Sequence, residues 1–171
     1  GKGREVAAEE DAEDTVLEIE GRGGVLATPA GPLDVGGSGT AMRFLTALAA
    51  LVPGEVVIDG DARMRERPIG PLVEALRALG VDARAIGGDG RPPVRVRGGT
   101  LAGGTVRLPG DVSSQFVSAI LMIAPFAPRP VVLEIAPPVV SRPYIDLTVS
   151  LMAEFGAGRV IAESFDDGGL R

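Results

Sequence analysis

Four short stretches hold most of the residues whose types and spacing could do chemistry. Gly36-Gly37-Ser38-Gly39-Thr40 lies at a strand-to-helix junction. A helix start offers unpaired N–H groups and partial positive charge, and glycines let an anion approach the backbone closely. The same residues also suit a tight turn with Ser38 or Thr40 as N-cap, so both readings stand. Asp111-Val112-Ser113-Ser114-Gln115 occupies a second such junction. Its consecutive hydroxyls and amide supply neutral donors for phosphate or carboxylate. Capping by Asp111 or Ser113 accounts for two of these residues and leaves Gln115 without a role. Arg63-Met64-Arg65-Glu66-Arg67-Pro68 gathers three arginines ahead of a helix. Arginine binds such anions bidentately and stays charged in any site. Arg63 and Arg65 suit a solvated surface run, whereas Arg67, set against Pro68, suits a positioned ligand. Ser141-Arg142-Pro143-Tyr144 has the same Arg-Pro step with two hydroxyls beside it. Tyr144 reads equally as a core aromatic with its hydroxyl satisfied.

Composition removes most other chemistries. The 171 residues include no Cys and no His. That excludes a thiol nucleophile, a Cys zinc site, a disulfide framework and Ser-His-Asp catalysis. The formal charge of −6 sits in the first 20 residues, where eight acidic groups face only Lys2 and Arg4, and the rest is neutral. A basic nucleic-acid footprint is absent, no apolar run has the length of a membrane span, and the first residues do not resemble a signal peptide. No Gly-Lys-Ser/Thr follows the glycines, which excludes a P-loop. Gly37-Ser38-Gly39 with Asp59 twenty residues on mimics a dinucleotide fingerprint, but Met42 stands where the third glycine belongs. What remains is part of a site for a small polyanion, with no metal cluster, no cofactor and no nucleophile.

Gly and Pro clusters divide the chain into short elements that position these stretches. Residues 1–14 form an acidic lead-in, and 15–171 a single domain of α/β (α+β) class that opens on a half-buried strand, TVLEIE. Strands are expected at Leu33–Val35, Glu55–Ile58, Val81–Ile86, Val94–Arg97, Thr105–Leu108, Val131–Ile135 and Arg159–Glu163. An Ala- and Leu-rich helix follows Gly39 and ends at Pro53-Gly54. A second opens at Pro68, carries Ile69, Leu72, Val73, Leu76 and Leu79 at helical spacing, and stops at Gly80. A third puts Phe116, Ala119, Ile120 and Ile123 on one face. A fourth begins near Pro143 and aligns Ile145, Val149, Met152 and Phe155. A shift of 75 residues lays Arg67-Pro68 on Arg142-Pro143, Val56-Val57 on Val131-Val132, and Leu72 and Leu76 on Leu147 and Leu151. Polar and apolar positions fall in step together, so the chain reads as two β-α-β-α units, 33–98 and 104–171, preceded by the end of another.

Ser38-Gly-Thr-Ala-Met-Arg-Phe-Leu45, Gly60-Asp-Ala-Arg-Met-Arg-Glu-Arg-Pro-Ile69, Ser113-Ser-Gln-Phe116 and Ser141-Arg-Pro-Tyr-Ile-Asp146 together resemble 5-enolpyruvylshikimate-3-phosphate synthases (3-phosphoshikimate 1-carboxyvinyltransferases). The resemblance implies a domain of repeated β-α-β-α-β-β units with inward helices and outer mixed sheets. It implies transfer of the enolpyruvyl group of phosphoenolpyruvate to the 5-hydroxyl of shikimate 3-phosphate, without cofactor or metal, in the cytoplasm. By motif position, Ser113, Ser114, Gln115, Ser141 and Tyr144 would hold shikimate 3-phosphate. Gly39 through its backbone, Arg67, and again Gln115 would hold phosphoenolpyruvate, where glyphosate competes in this family. Arg43 would orient the first loop rather than touch substrate. Gly37-Ser38 replaces the family's usual Asn-Ala, which removes one amide near that site.

Family enzymes are much longer, with an opening Lys-Ser…Arg segment and a second domain that have no counterpart here. The resemblance therefore implies most of the shikimate-phosphate-binding domain, inactive alone and partnered by a missing second domain. Helices shaped to face that partner would present apolar surface, which makes a homodimer of the chain a further expectation. Three alternatives stand beside this reading. One is a non-catalytic or split-enzyme binding domain. Another is a UDP-N-acetylglucosamine enolpyruvyl transferase, disfavoured because the loop Gly60–Pro68 has no Cys. The third is a dinucleotide-binding oxidoreductase.

Overall fold

A computed structural model describes residues 24–157, 160–166 and 168–171. The acidic lead-in, the strand expected over 15–20, and Arg159 lie outside the described residues. Among the described residues ten strands and α-helices follow one another: β1 (Leu33–Asp34), α1 (Gly39–Leu48), β2 (Gly54–Asp59), α2 (Gly70–Ala78), β3 (Asp82–Ala85), β4 (Val94–Gly98), β5 (Gly104–Pro109), α3 (Ser114–Ile123), β6 (Val131–Ala136) and α4 (Arg142–Glu154). The fold is α/β.

Each junction has a local cause. Ser38, in extended conformation, accepts the Ala41 N–H and starts α1, and Ser113 accepts the Gln115 N–H and starts α3. Both helices tighten into 3-10 turns, Ala49–Leu51 and Ala124–Phe126, before leaving. Pro68 disfavours helical backbone at the residue before it, and Arg67 is extended at φ −84°, ψ 136°. α2 nevertheless begins at Gly70, two residues after the expected start, because Ile69, at φ −130°, ψ −5°, is not helical and the Ile69 and Gly70 N–H groups donate to the Gly90 carbonyl.

The first sheet runs β1-β2-β4-β3, with β1 parallel to β2 and the other neighbours antiparallel. In the second, β5 runs parallel to β6. On the other edge of β6, Ile135 and Leu170 exchange both backbone hydrogen bonds, at 2.7 and 3.1 Å. Leu170 thus lies on β6 antiparallel, as β4 lies on β2. Glu163 and Arg171 exchange hydrogen bonds in the same way, but residues 160–163 do not form the expected strand. A ladder needs successive partners; among the described residues Glu163 and Ser164 pair with Arg171 and Leu170 and Phe165 donates to Gly169, so pairing begins where the expected strand ends.

One core joins both halves. α1 packs on α3, α3 on α4, and α2 covers β3 and β5. Met42, Ile58, Leu72, Leu76, Leu108 and Ile120 are fully buried in it. Each such side chain contributes roughly 2 kcal/mol on leaving water. The stripe expected on α4 is only partly buried. Ile145 and Met152 point into the core, whereas Phe155 is exposed. Phe155 is the C-cap, and Gly156, at φ +71°, ends α4 immediately after it.

Candidate functional site

The two helix starts and the arginine loop meet. Asp61 ties the arginine loop to the glycine loop, donating its N–H to the Gly36 carbonyl at 3.1 Å. Its carboxylate also accepts the Met64 N–H at 2.8 Å. Asp59 accepts from Nε and Nη2 of Arg65 at 2.9 and 2.6 Å. Arg65 is therefore occupied, and its hydrogen bonds, helped by the Gly60 N–H, hold the Asp59 carboxyl below the ordinary carboxylate range. With its neighbours pinned, Arg67 extends to Gly39.

At Gly39 the crowding is cationic. A Cβ on this residue would lie 2.5 Å from Nη1 of Arg43 and 2.6 Å from Nη1 of Arg67. Arg43 donates through Nη1 to the Gly39 carbonyl at 2.8 Å, and its guanidinium carbon sits 5.2 Å from the Phe116 ring centroid. Its Nε is buried without a hydrogen-bond partner. Burial first, and then the charge of Arg67, lowers the Arg43 pKa. Among the described residues neither Arg43 nor Arg67 has a carboxylate partner. Two convergent guanidiniums beside the start of α1, with no counter-charge, form a corner suited to an anion.

The second corner opens beside the first. A cleft of about 790 Å³ is lined by Thr40, Ser113, Ser114, Gln115, Ser141 and Tyr144 together with apolar side chains such as Leu147, Leu151 and Phe155. The structure thus gathers in one cavity the five residues expected to bind shikimate 3-phosphate. Gly39 and Arg67 do not line it; they meet next to Thr40, which does. Gln115 Nε2 donates to Thr40 Oγ1 at 2.8 Å and connects the corners. Tyr144 is exposed rather than packed in the core, and Ser141 precedes α4 in left-handed conformation. Thr148 donates to the Tyr144 carbonyl at 2.8 Å, so in its 2.7 Å contact with Thr148 it is Ser118 that donates. That pair ties α4 to α3 in the lining of the cleft.

Four residues escape a reading of the sequence: Thr40 as partner of Gln115, Phe116 as platform for Arg43, and Asp59 and Asp61 as props of the arginine loop. A signal existed for the first, because Thr40 and Gln115 are 75 residues apart, the repeat offset itself. None existed for the Arg43–Phe116 contact, which depends on how α1 crosses α3.

The family model described as EPSP synthase (3-phosphoshikimate 1-carboxyvinyltransferase) matches residues 4–164. The chain belongs to the EPSP synthase family. A 3-phosphoshikimate 1-carboxyvinyltransferase of Shewanella piezotolerans is 49% identical over 143 residues, which is 83% of this chain and 34% of that protein. One from Marinomonas sp. is 46% identical over 142 residues, 83% of this chain and 33% of its own length. A solved EPSP synthase from Acinetobacter baumannii superposes with a TM-score of 0.67 at 29% identity, over 84% of this chain and 30% of that one. The chain spans about a third of the length of the curated relatives it matches. Within the EPSP synthase family, the loop Gly37-Ser38-Gly39 needs no dinucleotide; here Ser38 caps α1.

Proposed function

We propose that this chain is the shikimate 3-phosphate-binding part of an enolpyruvyl transferase that joins phosphoenolpyruvate to the 5-hydroxyl of shikimate 3-phosphate. The observation that carries this reading is the Gly39 corner: two guanidiniums without counter-charge among the described residues, linked by Thr40 and Gln115 to the cleft that holds the hydroxyls of Ser113, Ser114, Ser141 and Tyr144. Two adjacent anion corners of different chemistry suit two phosphorylated substrates held side by side. Ser113, Ser114, Gln115, Ser141 and Tyr144 hold shikimate 3-phosphate. The Gly39 backbone, Arg67 and Gln115 hold phosphoenolpyruvate.

In the reaction the 5-hydroxyl gives up its proton to a base as its oxygen adds to C2 of phosphoenolpyruvate, while C3 gains a proton from an acid. The tetrahedral intermediate then loses a C3 proton and phosphate departs with its bridging oxygen. Residues of this chain align the two substrates and offset their negative charge, which lowers the barrier by positioning and electrostatics. The proton transfers fall to a second domain, the partner that this chain requires for turnover. We place the reaction in the cytoplasm, where phosphorylated intermediates of biosynthesis are held. No described helix is long and apolar enough to cross a membrane.

Calorimetric titration tests the assignment. Shikimate 3-phosphate binds the chain, and Ser114→Ala or Gln115→Ala weakens it about 10-fold, the loss of one charge-assisted hydrogen bond. No phosphate is released when phosphoenolpyruvate is added. Phosphate release by the chain alone overturns its dependence on a partner domain. Binding of UDP-N-acetylglucosamine in place of shikimate 3-phosphate overturns the substrate.

A further inference from the structure

Arg43 sits where the fold gains little from a charge. Its Nε is sealed inside the chain with no hydrogen-bond partner, so no group outside the chain can pair with it. An unsatisfied buried donor destabilises, and more so on a charged side chain. Against this stand the 2.8 Å hydrogen bond from Nη1 to the Gly39 carbonyl and the contact with the Phe116 ring. Arg67 adds a second penalty. The Nη1 atoms of Arg43 and Arg67 lie 2.5 and 2.6 Å from one point beside Gly39, which puts like charges within roughly 5 Å of each other. Burial, and then repulsion from Arg67, disfavour the charged form of Arg43.

The repeat shows that the fold does not require this charge. The 75-residue offset lays Arg43 on Ser118. Ser118 holds the same place in α3 that Arg43 holds in α1, and it is buried and hydrogen-bonded to Thr148 at 2.7 Å. A small neutral side chain with a partner serves there. In α1 the same place carries a guanidinium whose Nε has none.

We propose that Arg43 is a positioning residue of the anion corner: anchored by the Gly39 carbonyl and the Phe116 ring, it holds a second positive charge beside Arg67 that an arriving anion offsets. Arg43 acts through Arg67 and through the field at Gly39. A bound anion pairs with Arg67 and at the same time relieves the repulsion between the two guanidiniums. Stability is thereby given up for affinity, as expected where a charged site is preorganised. This inference rests on the reading of the Gly39 corner as the phosphoenolpyruvate site.

Arg43→Met is the test, because methionine keeps an unbranched stem and packs on an aromatic ring without charge. In urea denaturation without ligand, Arg43→Met unfolds at the same midpoint as the unsubstituted chain or a higher one. A fall in midpoint makes Arg43 a structural prop and overturns the proposal. In a titration with phosphoenolpyruvate followed by NMR at the Gly39 amide, Arg43→Met weakens binding about 10-fold at low ionic strength, and the gap narrows as salt screens the corner. Arg43→Lys, which restores the charge, recovers most of the affinity. Equal affinity of Arg43→Met and the unsubstituted chain overturns the proposal, as does failure of Arg43→Lys to bind better than Arg43→Met. Arg67→Met separates this inference from the reading beneath it. Loss of binding in Arg67→Met with none in Arg43→Met leaves the phosphoenolpyruvate site standing and removes Arg43 from it. Indifference of both variants, or no binding by the unsubstituted chain, removes the site and the proposal with it.

Discussion

Gly39 and Gly98 are both crowded where a Cβ would stand, yet the same substitution has unequal consequences at the two positions. At Gly39 the obstructing atoms are the tips of Arg43 and Arg67, which can swing aside. At Gly98 they are the backbone carbonyl oxygens of Ala49, Ala50 and Val52, fixed where the 3-10 turn meets β4. Gly39→Ala therefore changes stability by no more than about 0.5 kcal/mol, whereas Gly98→Ala costs about 2–4 kcal/mol, as urea denaturation of both will show. The Thr40–Gln115 contact makes a second prediction. A double-mutant cycle of Thr40→Val and Gln115→Ala gives a coupling of about 0.5–1.5 kcal/mol, and zero coupling would remove the link between the corners. A third concerns acid. Hydrogen bonds from Arg65 depress the Asp59 pKa, so this pair stabilises the fold above the unfolded value of about 3.9. The contribution fades as pH falls through the lower folded value. Arg65→Ala returns the Asp59 carboxyl toward its ordinary titration, which NMR follows directly, and removes that acid-side contribution.

At the scale of elements, the sequence was most legible where a helix or strand is bounded by its own chemistry. Ser38 and Ser113 announce α1 and α3 because a capping hydroxyl acts within three residues. Apolar spacing reveals α2 because its buried face is continuous. Legibility failed where a neighbour decides. Residues 160–163 have strand-like composition but only Glu163 among them is paired, with Arg171, and Phe155 has the right spacing but stands where α4 ends. Tyr144 fitted core and surface equally well, because an aromatic hydroxyl suits both until the covering element is known. The unequal environments of α2 and α4 are measurable. Leu72→Ala costs about 2–5 kcal/mol, and Leu147→Ala, in dilute monomeric chain, changes stability by less than about 0.5 kcal/mol. Equal losses at the two positions would show that α4 is covered as α2 is.

For the whole molecule, the decisive event is α1 packing on α3. That contact brings two helix starts, far apart in the chain, to within one hydrogen bond of each other. It also slides Phe116 beneath Arg43, so that a second guanidinium joins Arg67 at Gly39. Net charge described none of this, since the acidic excess lies in the first 20 residues and the anion corner is built from arginines of a neutral body. The sequence by itself determined the family, the α/β class, the order of elements and the residue types of both corners, because motifs, caps and hydrophobic periods are local. Only the tertiary structure decided which arginine is occupied by Asp59, which is free at Gly39, and which helix face stays bare. Those outcomes depend on distances between segments remote in the chain, and a distance of that kind is set by packing rather than by spacing.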